Sequence, residues 1–229
     1  MTSTILKLPL ADQCELLGLP LQKLTIAKSE LGWLVGGVPF SKPEPAAFAH
    51  LRTFGCLGLQ SEGAGPLTLL KCAALDVLTE LNTFGSRDDA CSRYFEAQCV
   101  IHSAHRERIV DRIRNASAEL VCKAFREVRA QPQFRALYPE MDEAGMEAIW
   151  TALGAERWAM VAEAFFADPY GFRAGWPDLA VVDDGKVRLI EVKTTDKLHA
   201  SQVRTFRDFL IPLGFCVEVL QLLPARSRV

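Results

Sequence analysis

The stretch from Gly175 to Lys193 reads GWPDLAVVDDGKVRLIEVK, and its internal rhythm decides the fold. Leu179 to Val182 and Val187 to Val192 are short runs rich in branched apolar residues, the composition of strands. Between them Asp183, Asp184 and Gly185 form a turn signal, because aspartate and glycine tolerate positive φ. The expectation is an antiparallel hairpin. Downstream, Val203, Phe206, Leu210 and Leu213 recur at helical spacing until Gly214 halts them, and Cys216 to Leu223 reads as a third, buried strand. Hairpin, crossover helix and strand predict an α/β core.

The charges in this stretch are placed where a plain sheet would not put them. Asp178 opens the first strand directly after Pro177, while Glu191 and Lys193 lie two apart near the end of the second. Strand alternation points Glu191 and Lys193 to one face, and the turn brings Asp178 towards them. Glu191 and Lys193 also interrupt the apolar run that starts at Leu189, where burial disfavours a charge unless it is paired or metal-bound. Two carboxylates converging at about one ion's width suit Mg²⁺ or Mn²⁺, hard cations that take oxygen ligands and retain water. The backbone carbonyl of Val192 is placed to complete such a shell.

An ammonium beside that ion offsets the negative charge that builds on phosphoryl oxygens when a phosphodiester is attacked, while the metal acidifies the attacking water. Asp178, Glu191 and Lys193 are therefore the candidate catalytic residues of a metal-dependent nuclease. Gln202, on the first turn of the next helix, is placed to orient the water or to contact a phosphate.

Upstream the periodicity is helical. After Gly65 and Pro66, the residues Leu67, Leu70, Ala74, Val77, Leu78 and Leu81 mark one buried helix face. From Asp88 to Arg129 the chain has neither proline nor glycine, and it is expected to be helical with a break at Asn115 to Ser117 and an end at Gln131 and Pro132. Further helix is expected through Ile149 and Trp150 and through Trp158 to Phe166. Before Gly37, leucines at short spacing predict helical turns, and Pro39, Pro43 and Pro45 predict an extended connector. The expected organisation is an N-terminal helical segment and connector over residues 1–44, then a catalytic domain over 45–229 with a helical insertion at about 85–170.

Composition sets the outer bounds. With 229 residues, 49% hydrophobic and 24% charged, the chain has a globular make-up, which excludes a disordered or disulfide-stapled protein. A formal charge of −2 gives no global attraction to a polyanion, so any such attraction must be local. Between residues 102 and 136, Arg106, Arg108, Arg112, Arg114, Lys123, Arg126, Arg129 and Arg135 outnumber the acids and form a candidate phosphate-tracking stripe. Arg106 and Arg112 stand for it as phosphate contacts, together with Arg173 just before Gly175. The seven cysteines are scattered without a metal-binding or redox spacing and are expected to be reduced thiols. Neither a secretory signal nor a membrane span is visible, so the expected location is the cytoplasm.

The motif residues carry a resemblance. The segment from Gly175 to Leu179, the Glu191 to Lys193 triplet and the run from Asp196 to Gln202 resemble the VRR-NUC branch of the PD-(D/E)XK nucleases, over about residues 171 to 223. Ser61, Glu62 and Gly63, followed by a helix to Leu81, are similar to the opening of the nuclease module of the Fanconi-associated type, which extends the likeness to about residues 45 to 223. The resemblance implies a restriction-endonuclease-like core, a central mixed sheet flanked by helices. It also implies metal ligation by Asp178, Glu191 and Glu62, a catalytic lysine at Lys193 and a helix glutamine at Gln202. Glu163 competes with Glu62 for the remaining acidic position, and Thr194 stands where many relatives have glycine.

The expected activity is that of a Mg²⁺- or Mn²⁺-dependent deoxyribonuclease in DNA repair, structure-selective for branched, flap or ended duplex DNA. The long insertion resembles the type in which it hinders dimers, so a monomer is expected. One alternative is a bacterial effector nuclease delivered into a competitor and held in check by an inhibitor protein. Another is a catalytically inactive DNA-binding relative.

Overall fold

The computed structural model describes residues 2–225, and the chain divides into two compact units. One combines the residues up to Glu62 with those from Gly175 onward, and Gly63–Ala174 form the other.

The first unit begins with helices α1 (Thr2–Ile5) and α2 (Leu10–Leu17). Gly18 ends α2 in the left-handed region, at φ 66°, where its N–H reaches back to the Glu15 carbonyl. Three strands follow, β1 (Leu21–Ser29), β2 (Gly32–Val35) and β3 (Val38–Phe40), then helix α3 (Pro43–Arg52) and strand β4 (Leu57–Gln60). The predicted helical turns before Gly37 and the connector after it are thus corrected. Helix stops at Leu17, and residues 21–40 are largely strand.

The physical reason is tertiary pairing. β1 is recruited in parallel by the last strand of the chain, β7 (Cys216–Pro224), from Leu21 opposite Val219 to Ile26 opposite Pro224. Leucines three apart fit a helix in isolation, yet Leu24 and Ile26 also alternate as a strand, and pairing chose that reading. Gly36 and Gly37, both at positive φ, form the two-residue turn joining β2 to β3. Pro43 and Pro45 fall in the first turn of α3, where a missing N–H leaves no helical bond unmade.

After the second unit the chain returns with the hairpin of β5 (Leu179–Asp183) and β6 (Lys186–Lys193). The strands form a seven-stranded sheet in the order β3-β2-β1-β7-β6-β5-β4. β7 runs parallel to both β1 and β6, and the other neighbours are antiparallel. Ala46 and Ala47 of α3 are fully buried with Leu179, Val181, Ile190, Val192, Leu220 and Leu222, so α3 covers one face of the sheet. Cutting any one of these larger side chains to alanine is expected to cost about 2–5 kcal/mol. Alternation along β6 sends Glu191 and Lys193 to the other face.

The second unit is helical: α4 (Ala64–Leu81), α5 (Arg87–Ser92), α6 (Phe95–Ile101), α7 (Arg106–Arg114), α8 (Ala118–Ala130), α9 (Pro132–Leu137), α10 (Glu143–Leu153) and α11 (Ala155–Phe165). α4 is buried almost without interruption from Gly65 to Leu78. Ser117 at the predicted break caps α8 by accepting from the Leu120 N–H. Pro132 opens α9 rather than ending the helical run. Stacked rings of Trp150 and Trp158, 5.8 Å apart, and of Phe95 and Phe165, 5.7 Å apart, fill the core between helices. All seven cysteines are free thiols.

Candidate active site

Register brings the predicted residues together. Leu179 pairs with Ile190, so one step along the hairpin Asp178 comes opposite Glu191 on the same face. Asp178 does more than end a strand. Its Oδ2 accepts from the Val192 N–H at 2.8 Å, and its carbonyl accepts from the N–H groups of Ser61 and Glu62 at 3.1 and 3.3 Å. A residue in a strand sends its N–H and C=O to the same side, so the Val192 carbonyl also leaves towards Asp178.

Gly175 explains how the loop before Asp178 is held. It sits at φ 82°, and a Cβ there would lie 2.3 Å from the Ser201 carbonyl oxygen. Only glycine lets this loop touch the start of helix α12 (Ala200–Thr205). One residue on, buried Trp176 meets Phe209 edge-on at 5.5 Å, in the π-helical turn Phe206–Leu210 that continues α12. The same α12 carries Gln202, so packing of the loop on the helix sets Asp178 and Gln202 in a common frame.

Glu191 and Lys193 are both buried, at 1% and 4% exposure. Glu191 Oε1 takes the Lys193 ammonium at 2.8 Å and the Gln202 amide at 2.5 Å. Gln202 is occupied at both ends, since its Oε1 accepts from the His199 N–H at 2.9 Å. It orients the Glu191 carboxylate, where water orientation or phosphate contact was expected. Lys193 is held from its other side by Asp196 at 3.2 Å.

The electrostatics are those of an incomplete site. Burial, and then the charge of Asp178, push the Glu191 carboxyl up to about 8. Burial pushes Asp178 up to about 6 against the Val192 N–H, with Glu44 and Glu62 adding repulsion. Burial pulls Lys193 down, but Glu191 and Asp196 outweigh it and raise its pKa, which keeps the ammonium charged. Glu191 Oε2 is buried and has no hydrogen-bond partner among the described residues. An orphaned buried carboxylate oxygen beside a second carboxylate is the arrangement a hard cation satisfies.

Asp178, Glu191 and the Val192 carbonyl are therefore the groups that could hold such an ion. Among the described residues no three His, Cys, Asp or Glu side chains gather into a ready shell. Glu62, expected as a further ligand, is brought beside Asp178 by the backbone, but its side chain is exposed and its φ is 47°. Its rival Glu163 is paired with Arg106 in the helical unit.

The expected basic stripe is largely neutralised. Arg106 pairs with Glu163, Arg108 with Glu80, Arg112 with Asp76, Arg114 with Asp111 and Arg126 with Glu143. Arg173 lies 3.7 Å from Glu96 and over the Tyr170 ring, and remains half exposed. Two residues near the site had no role assigned from the sequence. Asp196 entered only as the first residue of the run to Gln202, and Glu44 lies between prolines that read as a connector.

No family model matches the chain, and no curated protein does. Its sheet and flanking helices form a restriction-endonuclease-like α/β core. Solved structures that share the fold include two of paFAN1. One, bound to DNA with a 2-nt 5′ flap and a gap, matches with a TM-score of 0.67 at 19% identity, covering 91% of this chain and 38% of paFAN1. The other, with a 1-nt 5′ flap and a gap, matches with a TM-score of 0.62 at 18% identity over the same shares. The chain thus spans well under half the length of paFAN1. Among the described residues no helix is long and apolar enough to cross a membrane.

Proposed function

We propose that this chain is a Mg²⁺- or Mn²⁺-dependent DNA nuclease that hydrolyses phosphodiester bonds in branched, flap or ended DNA, with a role in DNA repair. The observation that carries the reading is the buried Glu191 carboxylate, which faces Asp178 across the hairpin with one oxygen bound to Lys193 and the other unpartnered. The fold shared with paFAN1, solved on flap DNA, supports the substrate class.

When bound, the divalent ion would neutralise phosphate charge and acidify the attacking water. The protein's own residues do the rest. Asp178 and Glu191 present their carboxylates on one face of the hairpin. Gln202 locks the Glu191 rotamer, so the unpartnered oxygen keeps its direction. Asp196 and Glu191 hold the Lys193 ammonium charged from two sides, ready to offset charge developing on the phosphoryl oxygens.

The test is incubation with end-labelled linear, 5′-flap, 3′-flap and four-way-junction DNA in Mg²⁺, Mn²⁺ or chelator. Cleavage that needs the metal and is lost in Lys193→Ala is expected. Activity that persists in chelator, or in Asp178→Ala, would overturn the reading.

A further inference from the structure

Gln13, in α2, is a fully buried polar residue whose amide is used at both ends. Its Nε2 donates to the carbonyl of Ile5, the last residue of α1, at 3.0 Å, and its Oε1 accepts from the Leu198 N–H at 2.9 Å. Turning the amide over would set donor against donor and acceptor against acceptor, so these partners fix its orientation. A side chain that only filled the core would be apolar, since burying an amide is costly unless both ends are met.

Leu198 lies 185 positions further along the chain, in the strap of residues 194–199 that joins β6 to α12. The strap lies outside helix and strand, and it runs from Lys193 to the helix that carries Gln202. Two glutamines take consecutive N–H groups of this strap. Gln13 holds that of Leu198, and Gln202 holds that of His199 at 2.9 Å while its own amide reaches Glu191 Oε1. Because peptide units are planar, only the two backbone dihedrals of Leu198 separate the bond to Gln13 from the bond to Gln202. The Leu198 side chain, 2% exposed, restrains those dihedrals further. Lys197 Nζ donates to the Lys7 carbonyl at 3.1 Å, a second tie between the strap and the segment joining α1 to α2. All of these elements belong to one compact unit.

We propose that Gln13 is a positioning residue for the Glu191 carboxylate, acting through the strap. It fixes Leu198, Leu198 fixes the bond between His199 and Gln202, and Gln202 fixes Glu191. The inference rests on the metal-dependent reading above and deepens it, because it makes α1 and α2 part of the machinery that sets the site.

Calorimetric titration of metal-free protein with Mn²⁺, run as a double-mutant cycle with Gln202 and beside urea unfolding in chelator, tests the proposal without recourse to cleavage. Gln13→Met keeps the length of the side chain and removes both bonds. It is expected to weaken Mn²⁺ binding by about fivefold, part of the roughly tenfold loss expected for Gln202→Ala, the partner directly behind the ligand. Since both residues act along one path, adding Gln13→Met to Gln202→Ala should weaken binding by less than about twofold more. The urea midpoint should fall in either background, because the Leu198 N–H and the Ile5 carbonyl lose their partners. A purely structural Gln13 would lower the midpoint at wild-type affinity, or weaken binding by the same factor in both backgrounds, and either result overturns the proposal. A wild type that binds no Mn²⁺ would remove the metal reading and this inference with it. Should Gln13→Met unfold in chelator, Gln13→Asn is titrated instead, since it keeps the amide and shortens its reach. Weaker binding is then expected only where Gln202 is intact, and no effect, or an equal effect in both backgrounds, would overturn the proposal.

Discussion

Asp178 with Glu191, and Asp76 with Glu127, are two sets of carboxylates removed in part or in full from water, one in each unit. In the helical unit Arg87 bridges Asp76 and Glu127, each at 2.5 Å, and Arg112 adds a second bond to Asp76 at 2.9 Å. Hydrogen bonds from Arg112 and Arg87 hold Asp76 below the usual carboxylate range, and Arg87 does the same for Glu127. At the hairpin the balance is reversed. Burial raises both carboxyls, the Asp178 charge raises Glu191 further, Glu44 and Glu62 add repulsion at Asp178, and Lys193 is the cation that answers it. A structural ion-pair network completes itself, whereas this site is left short of positive charge. That difference separates two sets of paired acids that a count of charged residues would treat alike.

The strongest way to break the comparison is to delete either hairpin carboxylate. Asp178→Ala and Glu191→Ala are each expected to abolish Mn²⁺ binding and to lower cleavage by about 10³-fold or more. The chelated variants should unfold at or above the wild-type temperature, because repulsion is relieved. Calorimetry that finds wild-type Mn²⁺ affinity in both would erase the distinction. Lys193→Ala comes next, with turnover lower by about 10²-fold and metal affinity nearly unchanged, since its ammonium faces developing charge and not the ion. Lys193→Arg should rescue poorly, because a planar fork does not fit a pocket built for a compact charge between Glu191 and Asp196. Normal turnover at saturating metal with lost affinity would reverse that assignment.

How much of this was legible depended on the range of the interactions. The hairpin, the α12 helix and the last strand follow from local signals: the turn at Asp183 to Gly185, Val203 and Phe206 at helical spacing, and the apolar run after Cys216. Asp178, Glu191 and Lys193 stood out because charge in an apolar strand needs a reason. β1 was hidden because its partner, β7, lies at the other end of the chain, and nothing near Leu21 announces that pairing. Glu44 was hidden for a related cause. Its place depends on how α3 docks on the sheet, and the prolines around it masked the helix altogether. The arginines of the helical unit look like a surface stripe in the sequence, since partners such as Glu80 and Glu163 lie far from residues 102–136 along the chain.

The other half of the comparison is tested at Arg87. Removing its guanidinium leaves Asp76 and Glu127 facing each other with Arg112 bonded to Asp76 alone. The side chains are 34% and 45% exposed at Arg87 and Asp76, so water screens much of the loss. Arg87→Ala is expected to cost about 1–2 kcal/mol in urea unfolding, between a surface pair and a buried one. Mn²⁺ affinity should not move. A loss of metal binding would mean that the helical network serves the site as well as the fold.

The finest test of the comparison is the dependence of stability on pH in chelator, since its sign distinguishes the two sets. Folding raises Asp178 from 3.8 to about 6 and Glu191 from 4.5 to about 8, so protonation favours the folded state. Their stabilising contribution is complete below about pH 4 and is lost as pH rises through these folded values. Asp76 and Glu127 are depressed, so theirs is present above the ordinary carboxylate range and lost as pH falls through the lowered values. Between pH 5 and 7.5 the hairpin pair titrates, and His102, lowered by burial, adds a slope of the opposite sign that is common to both proteins compared. Chelated protein should therefore lose stability as pH rises through that window, most of it from the more deeply buried Glu191. Asp178→Asn should flatten the slope by removing one charge and lowering the pKa of Glu191, and Mn²⁺ should flatten it by binding the deprotonated pair. Denaturant midpoints of wild type and Asp178→Asn across this range make the check. If the two profiles coincide, the hairpin carboxylates do not repel each other, and the contrast with Asp76 and Glu127 fails.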